Sequence, residues 1–351
     1  KKYQRMKSDI LGIIGGGQLG MFMCIAAKKI GAKTIVFSTE KNFSAKSFCD
    51  RYILGSFDDK TKLDEFINSA DVFTIETENI SKALLKKVEK RKKLYPSSKI
   101  VEIAQNRLKE KKFLNNINKI KTTNFLEINS FKELKIAVPK FEYNCILKTQ
   151  EMGYDGKGQF MVNETNIQEF KDLNLSNFIL EETVDFKSEI SVIVIRNKDE
   201  TVVYPPVENI HKNSILRETI YPAKIDKEIK KKSIKIAREI ANALELNGIL
   251  AVEMFLTKDN KILINELAPR PHNSGHWTMD SCKFSQFDNL ISLITKGKIY
   301  SPEPSKNCKM INIIGDDYSN INVIKKSFKC YDYYKKEIRP SRKMGHYMDF
   351  G

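Results

Sequence analysis

The chain has 351 residues, 41% of them hydrophobic, which is enough for two or three globular domains with sizeable cores. No apolar run approaches the roughly 20 residues that a membrane-spanning helix requires, and the charged residues 1–9 do not resemble a secretory signal peptide. The net charge of +16 comes mostly from lysines spread along predicted helices, for example at 82–93 and 227–235, which favours a solvated surface over a nucleic-acid-binding face.

The six cysteines are scattered along the chain and contain no Cys-x-x-Cys pair. This distribution argues against both a zinc site and a disulfide framework. We therefore expect a protein of the reducing cytoplasm. The first methionine is Met6, so residues 1–5 are expected to be an extension that carries no function.

The first hundred residues alternate between predicted strands and helices, which is typical of a parallel βαβ domain. The predicted strands are 10–14, 33–37, 52–54 and 72–75, and the predicted helices are 21–30 and 60–69. After the first strand, Gly15, Gly17 and Gly20 match the Gly-x-Gly-x-x-Gly pattern of dinucleotide-binding domains. The second strand ends in residues 37–39 without an acidic side chain for a ribose hydroxyl, so nicotinamide binding stays the minority interpretation.

The middle of the chain contains a second glycine-rich loop. A polar helix is predicted at 98–116, and a strand at 146–149 leads into Gly153, Tyr154, Asp155, Gly156, Lys157, Gly158 and Gln159. Such glycines let backbone amides approach phosphate oxygens, and Lys157 adds positive charge, while Lys148 could reach a second phosphate. The spacing does not match the Walker pattern, so the loop by itself indicates phosphate binding only weakly.

Two glutamates on neighbouring predicted strands are the most informative feature of the second half of the chain. The strands are 249–256 and 261–267, and Asp259-Asn260 between them reads as a two-residue hairpin loop. This loop would place Phe255 opposite Ile264 and Glu253 opposite Glu266. Two carboxylates about 4 Å apart repel by roughly 4 kcal/mol at an effective dielectric constant near 20. A divalent cation held between the carboxylates and nucleotide phosphates would offset this repulsion, so the pair predicts a metal site.

The segment that follows the second glutamate strand is rich in polar side chains. Within residues 270–277 lie an arginine, two histidines, an amide and the only tryptophan of the chain. Arginine binds planar carboxylates or bicarbonate through two hydrogen bonds. The segment beside the acidic pair therefore predicts a substrate-binding site. Further strands are predicted at 178–180, 190–196 and 201–204, a helix at 227–246, and short strands with a basic cluster from Ser301 onwards.

Taken together, these motifs resemble those of the 5-(carboxyamino)imidazole ribonucleotide synthases, an ATP-grasp family of de novo purine biosynthesis. The resemblance spans nearly the whole chain and rests on residues 15–20, 76–79, 153–159, 265–278, 285–287 and 339–346. It implies an enzyme that joins ATP, bicarbonate and 5-aminoimidazole ribonucleotide. The products would be the carbamate, ADP and phosphate, formed through carboxyphosphate.

The resemblance also implies roles for individual residues. Catalysis would involve Arg270, His272, Asn273 and Lys148. Those expected around ATP are Arg107, Lys148, the loop from Gly153 to Gln159, Glu181, Glu182, Thr183 and Val184 as the adenine hinge, Glu189 at the ribose, His211, Asn265 and Glu266. Glu253 and Glu266 would hold Mg²⁺, and Arg270 would position bicarbonate. The residues expected at the imidazole ribonucleotide are Glu78, Asp155, Arg270, Lys336 and Arg342. Of these, Lys336 and Arg342 would contact its phosphate.

The fold that the resemblance implies is an α/β, ATP-grasp arrangement of three domains. These are a Rossmann-like parallel βαβ domain at 6–100, an ATP-grasp domain at 101–300 with 121–196 as its lid, and a small β-rich C-terminal domain at 301–351. A cytoplasmic homodimer that binds neither nucleic acid nor membrane is expected. Other ATP-grasp ligases, a basic nucleic-acid-binding protein and a nicotinamide oxidoreductase are the competing interpretations.

Overall fold

The N-terminal residues form the parallel sheet that their alternation of strands and helices predicts. The structure, a computed structural model, describes residues 10–152 and 158–351. The strand order of this five-stranded sheet is β3-β2-β1-β4-β5, with β1 (Ile10–Ile14), β2 (Lys33–Ser38), β3 (Arg51–Leu54), β4 (Val72–Ile75) and β5 (Lys93–Tyr95). The helices of this region are α1 (Gln18–Lys29), α2 (Lys60–Asn68) and α3 (Lys82–Glu89). The central strands are buried almost throughout, as expected for a sheet covered on both faces.

The single helix predicted at 98–116 is wrong, because the chain forms two helices there. They are α4 (Ser98–Ala104) and α5 (Arg107–Asn115). Asn106 has an extended backbone, and its side chain accepts a hydrogen bond from the Lys109 amide at 2.9 Å. This N-cap stabilises a new helix start, and it turns α5 so that Arg107 begins its first turn.

A second, four-stranded antiparallel sheet contains the residues that flank the second glycine-rich loop. Its strand order is β6-β9-β7-β8, with β6 (Phe125–Ile128), β7 (Cys145–Thr149), β8 (Gln159–Val162) and β9 (Phe178–Glu182). Helix α6 (Phe131–Ala137) packs on this sheet through the buried Leu134. Short 3-10 helices occupy Val138–Phe141 and Ile167–Phe170, and another lies earlier in the chain at Ser44–Ser47.

The third sheet has nine strands and joins the middle of the chain to its C-terminal part. It contains β10 (Phe186–Arg196), β11 (Thr201–Val203), β12 (Val207–Lys212), β13 (Ile215–Tyr221), β14 (Gly248–Thr257), β15 (Ile262–Ala268), β16 (Cys308–Ile314), β17 (Lys329–Asp332) and β18 (Lys343–Asp349). The order is β15-β14-β10-β12-β13-β16-β18-β17, with β11 paired to β10. The remaining helices are α7 (Lys227–Ala243), α8 (Thr278–Ser281), α9 (Gln286–Lys296) and α10 (Ile321–Ser327), with 3-10 helices at Asn273–Gly275 and Gly315–Asn320.

The large sheet separates two hydrophobic cores. Along β10, Val192 and Val194 pack into the core that contains α7, whereas Ile193 and Ile195 pack into the core that contains α1 and α9. Successive side chains of a strand point to opposite faces, so β10 contributes to both cores at once. Phe22 of α1 lies 5.3 Å from the ring of Phe287 in α9, which fixes the parallel domain against the large sheet.

The predicted fold class is confirmed: a parallel sheet lies near the N-terminus and antiparallel sheets follow. The predicted domain bounds at 100 and 300, and the lid at 121–196, stay predictions. Strand β10, within the predicted lid, lies in the large sheet, and the strands beyond residue 301 extend the same sheet. Among the residues that the structure describes, no helix combines the length and the apolar character needed to cross a membrane.

Candidate active site

The two glutamates predicted to face each other do so, but through a different hairpin from the predicted one. The Thr257 amide donates to the Lys261 carbonyl at 2.9 Å, so the loop has three residues and Phe255 pairs with Leu263 rather than Ile264. Asn260 accommodates the loop with a φ of 61°. A bulge between Glu253 and Met254 then shifts the register back by one residue. The three-residue loop and the bulge shift the strand register by one residue in opposite directions. Glu253 therefore lies opposite Glu266, as predicted.

The two carboxylates have different electrostatic environments. Burial raises the pKa of Glu253, but the hydrogen bond from His272, and beyond it His211 and Arg270, lower it below its usual value. Glu266 is accessible to water yet surrounded by protein, and desolvation followed by the charge of Glu253 raises its pKa. The pair therefore carries negative charge that the fold only partly offsets. Hard oxygen ligands with unbalanced charge are what Mg²⁺ prefers, so the donor set fits this ion. In the described residues no group of three or more acidic, histidine or cysteine side chains is arranged for a metal.

Glu110 is a part of this site that the sequence did not reveal. Its carboxylate accepts a hydrogen bond at 2.9 Å from the amide of Leu267, the residue after Glu266, and its side chain is buried. Burial and the charge of Glu266 raise the pKa of Glu110 well above its usual range. The hydrogen bond attaches α5 to β15 beside the facing glutamates Glu253 and Glu266. The signal in the sequence was an acidic residue one helical turn after Arg107.

Lys148 lies in a buried cluster of charges at the four-stranded sheet. Its ammonium group is 2.9 Å from Glu181, which also lies 3.3 Å from Lys111. Burial raises the pKa of Glu181, but the two lysines reverse this and lower it. Lys111 is almost fully buried and was not predicted, because its helical position resembles the surface lysines around it. The cluster holds Lys148 against Glu181, five residues before Gly153 in the sequence.

The predicted adenine hinge lies in the connection between two sheets. Glu182 ends β9, and Thr183 and Val184 lead to β10 without strand pairing. The Glu182 carboxylate accepts hydrogen bonds from the backbone and side chain of Asn124 at 3.0 and 2.9 Å. The Glu182 side chain is therefore held by Asn124, while the side chain of Glu181 belongs to the lysine cluster.

Glu189 and His211, predicted to contact the nucleotide, are brought together on neighbouring strands of the large sheet. The imidazole Nδ1 of His211 is 2.6 Å from the Glu189 carboxylate. Burial lowers the pKa of His211, but the bond and charge of Glu189 outweigh this effect and raise it. Asn265, also predicted here, is the extra residue of the bulge in β15 and is half-buried.

The segment after β15 meets the end of β4. Arg270 forms a two-pronged ion pair with Glu78, 192 residues away in the chain, through its Nε and Nη2 groups. Its Nη1 donates to the carbonyl of Pro271 at 3.2 Å. His272 Nε2 is 2.9 Å from Glu253. Asn273, predicted to be catalytic, is buried and exchanges amide hydrogen bonds with Asn312 of β16.

The C-terminal basic cluster also approaches the end of the parallel sheet. Lys335 is half-buried, and burial followed by the repulsion of Arg342 lowers its pKa to about 8, although Glu76 opposes this. Its ammonium donates to the Lys343 carbonyl at 2.8 Å. Arg342 is half-buried, whereas the predicted Lys336 is exposed. The lysine that the structure places beside Arg342 is Lys335.

The first glycine turn has a partner within the chain. Glu76 accepts hydrogen bonds from the amides of Gly17 at 2.7 Å and Gly20 at 3.0 Å, at the N-terminus of α1. A carboxylate there supplies the negative charge that a dinucleotide phosphate would bring. This arrangement does not support the nicotinamide interpretation.

The second glycine-rich loop falls largely outside the described residues, which is where Gly153, Tyr154, Asp155, Gly156 and Lys157 lie. Beyond them, Gly158 has a φ of +69° and its carbonyl accepts from the Thr149 amide at 3.0 Å. Gln159 pairs with Lys148 across β7 and β8. On the other side of Thr149, its carbonyl accepts from the Arg107 guanidinium at 2.8 Å. Arg107 therefore contacts Thr149, which precedes the loop, and Lys148 pairs with Gln159, the last residue of the loop.

Family comparisons cover almost all of the chain. Residues 6–105 match the ribonucleotide synthetase preATP-grasp domain, 113–287 the ATP-grasp domain, and 308–348 the phosphoribosylaminoimidazole carboxylase C-terminal domain. The N5-carboxyaminoimidazole ribonucleotide synthase of Bacillus subtilis (strain 168) is 38% identical over 343 residues, which cover 96% of this chain and 90% of that protein. The enzyme of the same name from Brucella melitensis biotype 1 is 35% identical, with coverage of 96% and 94%.

Solved structures give the same result. An N5-carboxyaminoimidazole ribonucleotide synthetase in complex with ADP has a TM-score of 0.93 and 39% identity, and the match covers 97% of this chain and 92% of that one. An Aspergillus clavatus N5-carboxyaminoimidazole synthase in complex with ADP and 5-aminoimidazole ribonucleotide has a TM-score of 0.89 and 30% identity. That match covers 98% and 94% of the two chains.

Proposed function

Because this chain belongs to the N5-carboxyaminoimidazole ribonucleotide synthase family, we propose how its residues carry out the ATP-dependent carboxylation of 5-aminoimidazole ribonucleotide. The observation that carries the assignment is a full-length match to an enzyme solved with ADP and this ribonucleotide. The site has the chemistry that such a reaction needs. Paired carboxylates lie on the large sheet, a buried lysine cluster on the four-stranded sheet, and a basic cluster near the end of the parallel sheet.

ATP is the nucleotide substrate, and we propose that the cleft between the four-stranded and large sheets binds it. Lys148 and Arg107 would contact its phosphates, the backbone of 182–184 its adenine, and Glu189 with His211 its ribose. Glu253 and Glu266 would hold Mg²⁺, which would offset negative charge on the phosphate oxygens. The 153–159 loop, within the proposed lid of 121–196, would exclude water.

The second substrate would bind between the parallel sheet and the C-terminal cluster. Lys335 and Arg342 would hold the ribonucleotide phosphate, and Glu78 with Asp155 would hold the imidazole. Three of the five N–H groups of Arg270 donate to Glu78 and Pro271. The other two can hold bicarbonate, so the ion pair with Glu78 orients the guanidinium without exhausting its donors.

The proposed chemistry has two steps. A bicarbonate oxygen attacks the γ-phosphorus of ATP, the bond to ADP breaks, and carboxyphosphate forms. The ribonucleotide amine then attacks the carboxyl carbon, and the bond from this carbon to the phosphate oxygen breaks. The nitrogen loses a proton as phosphate leaves. Lys148 would stabilise the charge that develops on the transferred phosphoryl group, since fixed charges in a water-poor cleft need no reorganisation. Arg270 would keep the carboxyl group near the amine, and His272 would act beside it by holding Glu253.

We expect ADP release to require Mg²⁺ and to rise sharply when 5-aminoimidazole ribonucleotide is added together with bicarbonate. The reason is that the amine consumes carboxyphosphate, which draws the first step forward. A coupled ADP assay in which each component is omitted in turn measures this. Equal rates with and without the ribonucleotide would contradict the substrate assignment and leave ATP binding intact.

Replacing Arg342 with alanine should weaken ribonucleotide binding selectively. A phosphate contact persists in the ground and transition states, so its loss raises the Michaelis constant more than it lowers kcat. One charge-assisted hydrogen bond contributes roughly 1.5–3 kcal/mol, which corresponds to about a tenfold to hundredfold rise for the ribonucleotide. The constant for ATP should stay nearly unchanged. The matched control is Arg339→Ala in the same segment, where the arginine is exposed and paired with Glu337. Equal effects of both variants would remove Arg342 from the site.

We further propose a cytoplasmic homodimer. The six cysteines form no disulfide, which is in keeping with a reducing compartment. The homodimer is inferred from the family resemblance. Sedimentation velocity of the purified protein measures its oligomeric state.

A further inference from the structure

A chain of buried hydrogen bonds runs from the active site into the large sheet. It begins at His272, whose Nδ1 lies 2.8 Å from the Ser274 hydroxyl, and continues 2.8 Å to the hydroxyl of Ser191 in β10. Asn209 of β12 donates to Ser191 at 2.9 Å, and Thr219 of β13 donates to Asn209 at 3.0 Å. Ser191, Asn209, Thr219 and Ser274 are all buried, with exposed fractions of 6% or less.

The direction of the chain is determined at its active-site end. The backbone N–H of Ser274 lies 3.3 Å from His272 Nδ1, and an amide N–H can only donate. Nδ1 must therefore be the acceptor, so the hydrogen of the ring is on Nε2. The hydroxyl of Ser274, at the same nitrogen, must also donate its single hydrogen to Nδ1.

The rest of the chain follows from this requirement. Because Ser274 has given its hydrogen to His272, it has to accept from Ser191, and Ser191 in turn has to accept from Asn209. The amide group of Asn209 meets this need only with its NH₂ towards Ser191 and its oxygen towards Thr219. The opposite orientation of the amide would leave a lone pair of Ser274 facing the lone pair of Nδ1. Each hydroxyl carries one hydrogen, so the whole chain points towards the ring.

We propose that Ser191, Asn209 and Thr219 are positioning residues that act through Ser274 to keep the hydrogen of His272 on Nε2. From there it donates to Glu253 at 2.9 Å and orients this carboxylate at the proposed metal site. With the other tautomer, a nitrogen lone pair would face the carboxylate. This proposal rests on the proposed function, because Glu253 matters to turnover only if the site binds metal and ATP.

Asn209→Asp tests the proposal, because the side chain keeps its shape but a carboxylate only accepts. Ser191 would turn its hydrogen to the carboxylate, Ser274 would turn to Ser191, and Nδ1 would lose its hydroxyl donor. We expect kcat to fall by about tenfold to a hundredfold, as is typical when a partner of a metal ligand is lost. The Michaelis constant for the ribonucleotide should change little. The conservative variant Thr219→Ser, which retains the donor, should keep near-normal kcat.

Asn289→Asp is the matched control. Asn289 is fully buried in α9 and donates to Tyr204 and Tyr300, outside the chain of hydrogen bonds. It therefore measures the general effect of a carboxyl group in a buried amide position. A kcat for Asn209→Asp no lower than that of Asn289→Asp would overturn the proposal.

A direct readout of the tautomer does not depend on activity. The chain has four histidines, so ¹⁵N-labelled histidine gives few ring signals, and loss of signal in His272→Gln assigns those of His272. We expect protonated Nε2 and unprotonated Nδ1 in the unaltered protein, and a changed pattern in Asn209→Asp. A hydrogen on Nδ1 in the unaltered protein overturns the proposal even if Asn209→Asp does not fold. If the unaltered protein shows the expected tautomer but does not carboxylate the ribonucleotide, the proposed function fails instead.

Discussion

Replacing Glu266 with glutamine should reduce turnover by roughly a thousandfold and leave the fold intact. Several kcal/mol of charge stabilisation would be lost with the metal, and each 1.4 kcal/mol added to the barrier lowers the rate about tenfold. Steady-state ADP release at saturating Mg²⁺ measures the effect. Glu228→Gln, at an exposed position of α7, is the control and should retain full activity. Turnover of Glu266→Gln within about threefold of the unaltered protein would exclude the metal assignment.

The same variant should be at least as stable as the unaltered protein when metal is absent. The pKa of Glu266 is raised in the folded state, so the folded protein binds its proton more tightly than the unfolded chain does. Stability is therefore lost as pH rises through that pKa, and at neutral pH the ionised side chain destabilises the fold. Glutamine removes this charge. Thermal unfolding with a chelator should show an equal or higher Tm for the variant, whereas MgATP should raise only the Tm of the unaltered protein appreciably.

Replacing Arg270 with methionine should affect both stability and turnover. The ion pair with Glu78 is mostly buried, and removing one partner of such a pair costs about 3–5 kcal/mol because a buried charge is left without compensation. The pKa of Glu78, which burial raises but Arg270 lowers below its usual value, would rise in the variant. Urea unfolding measures the stability loss, and the carboxylation assay measures turnover.

A double variant separates the two roles of Arg270. Glu78→Gln combined with Arg270→Met removes both charges, so it should recover most of the lost stability. Turnover should not recover, because the donors proposed for bicarbonate are still absent. Arg217→Met is the control, since its partner Asp317 is about half exposed and an ion pair open to solvent contributes about 1 kcal/mol or less. Recovery of turnover in the double variant would show that Arg270 acts only as a counterion.

Local patterns in the sequence were sufficient for much of the fold. Alternating strands and helices predict the parallel sheet, because each element buries a face whose period is set by its own backbone. The break between α4 and α5 was missed, since a polar N-cap inside a helical pattern resembles an ordinary helical residue. Paired hairpin strands are neighbours in sequence, and for this reason the opposition of Glu253 and Glu266 could be predicted even though the loop was wrong.

By itself, the sequence determined which chemical groups are present and which local elements carry them: the facing glutamates, the glycine turns and the basic C-terminal segment. Only the tertiary structure decided which of these groups meet. It joins Glu78 to Arg270 across 192 residues, Glu110 to β15, and Lys111 to Glu181. It also places Lys335, rather than the adjacent Lys336, beside Arg342. Such contacts depend on how separate elements pack, and neither periodicity nor spacing along one element contains that information.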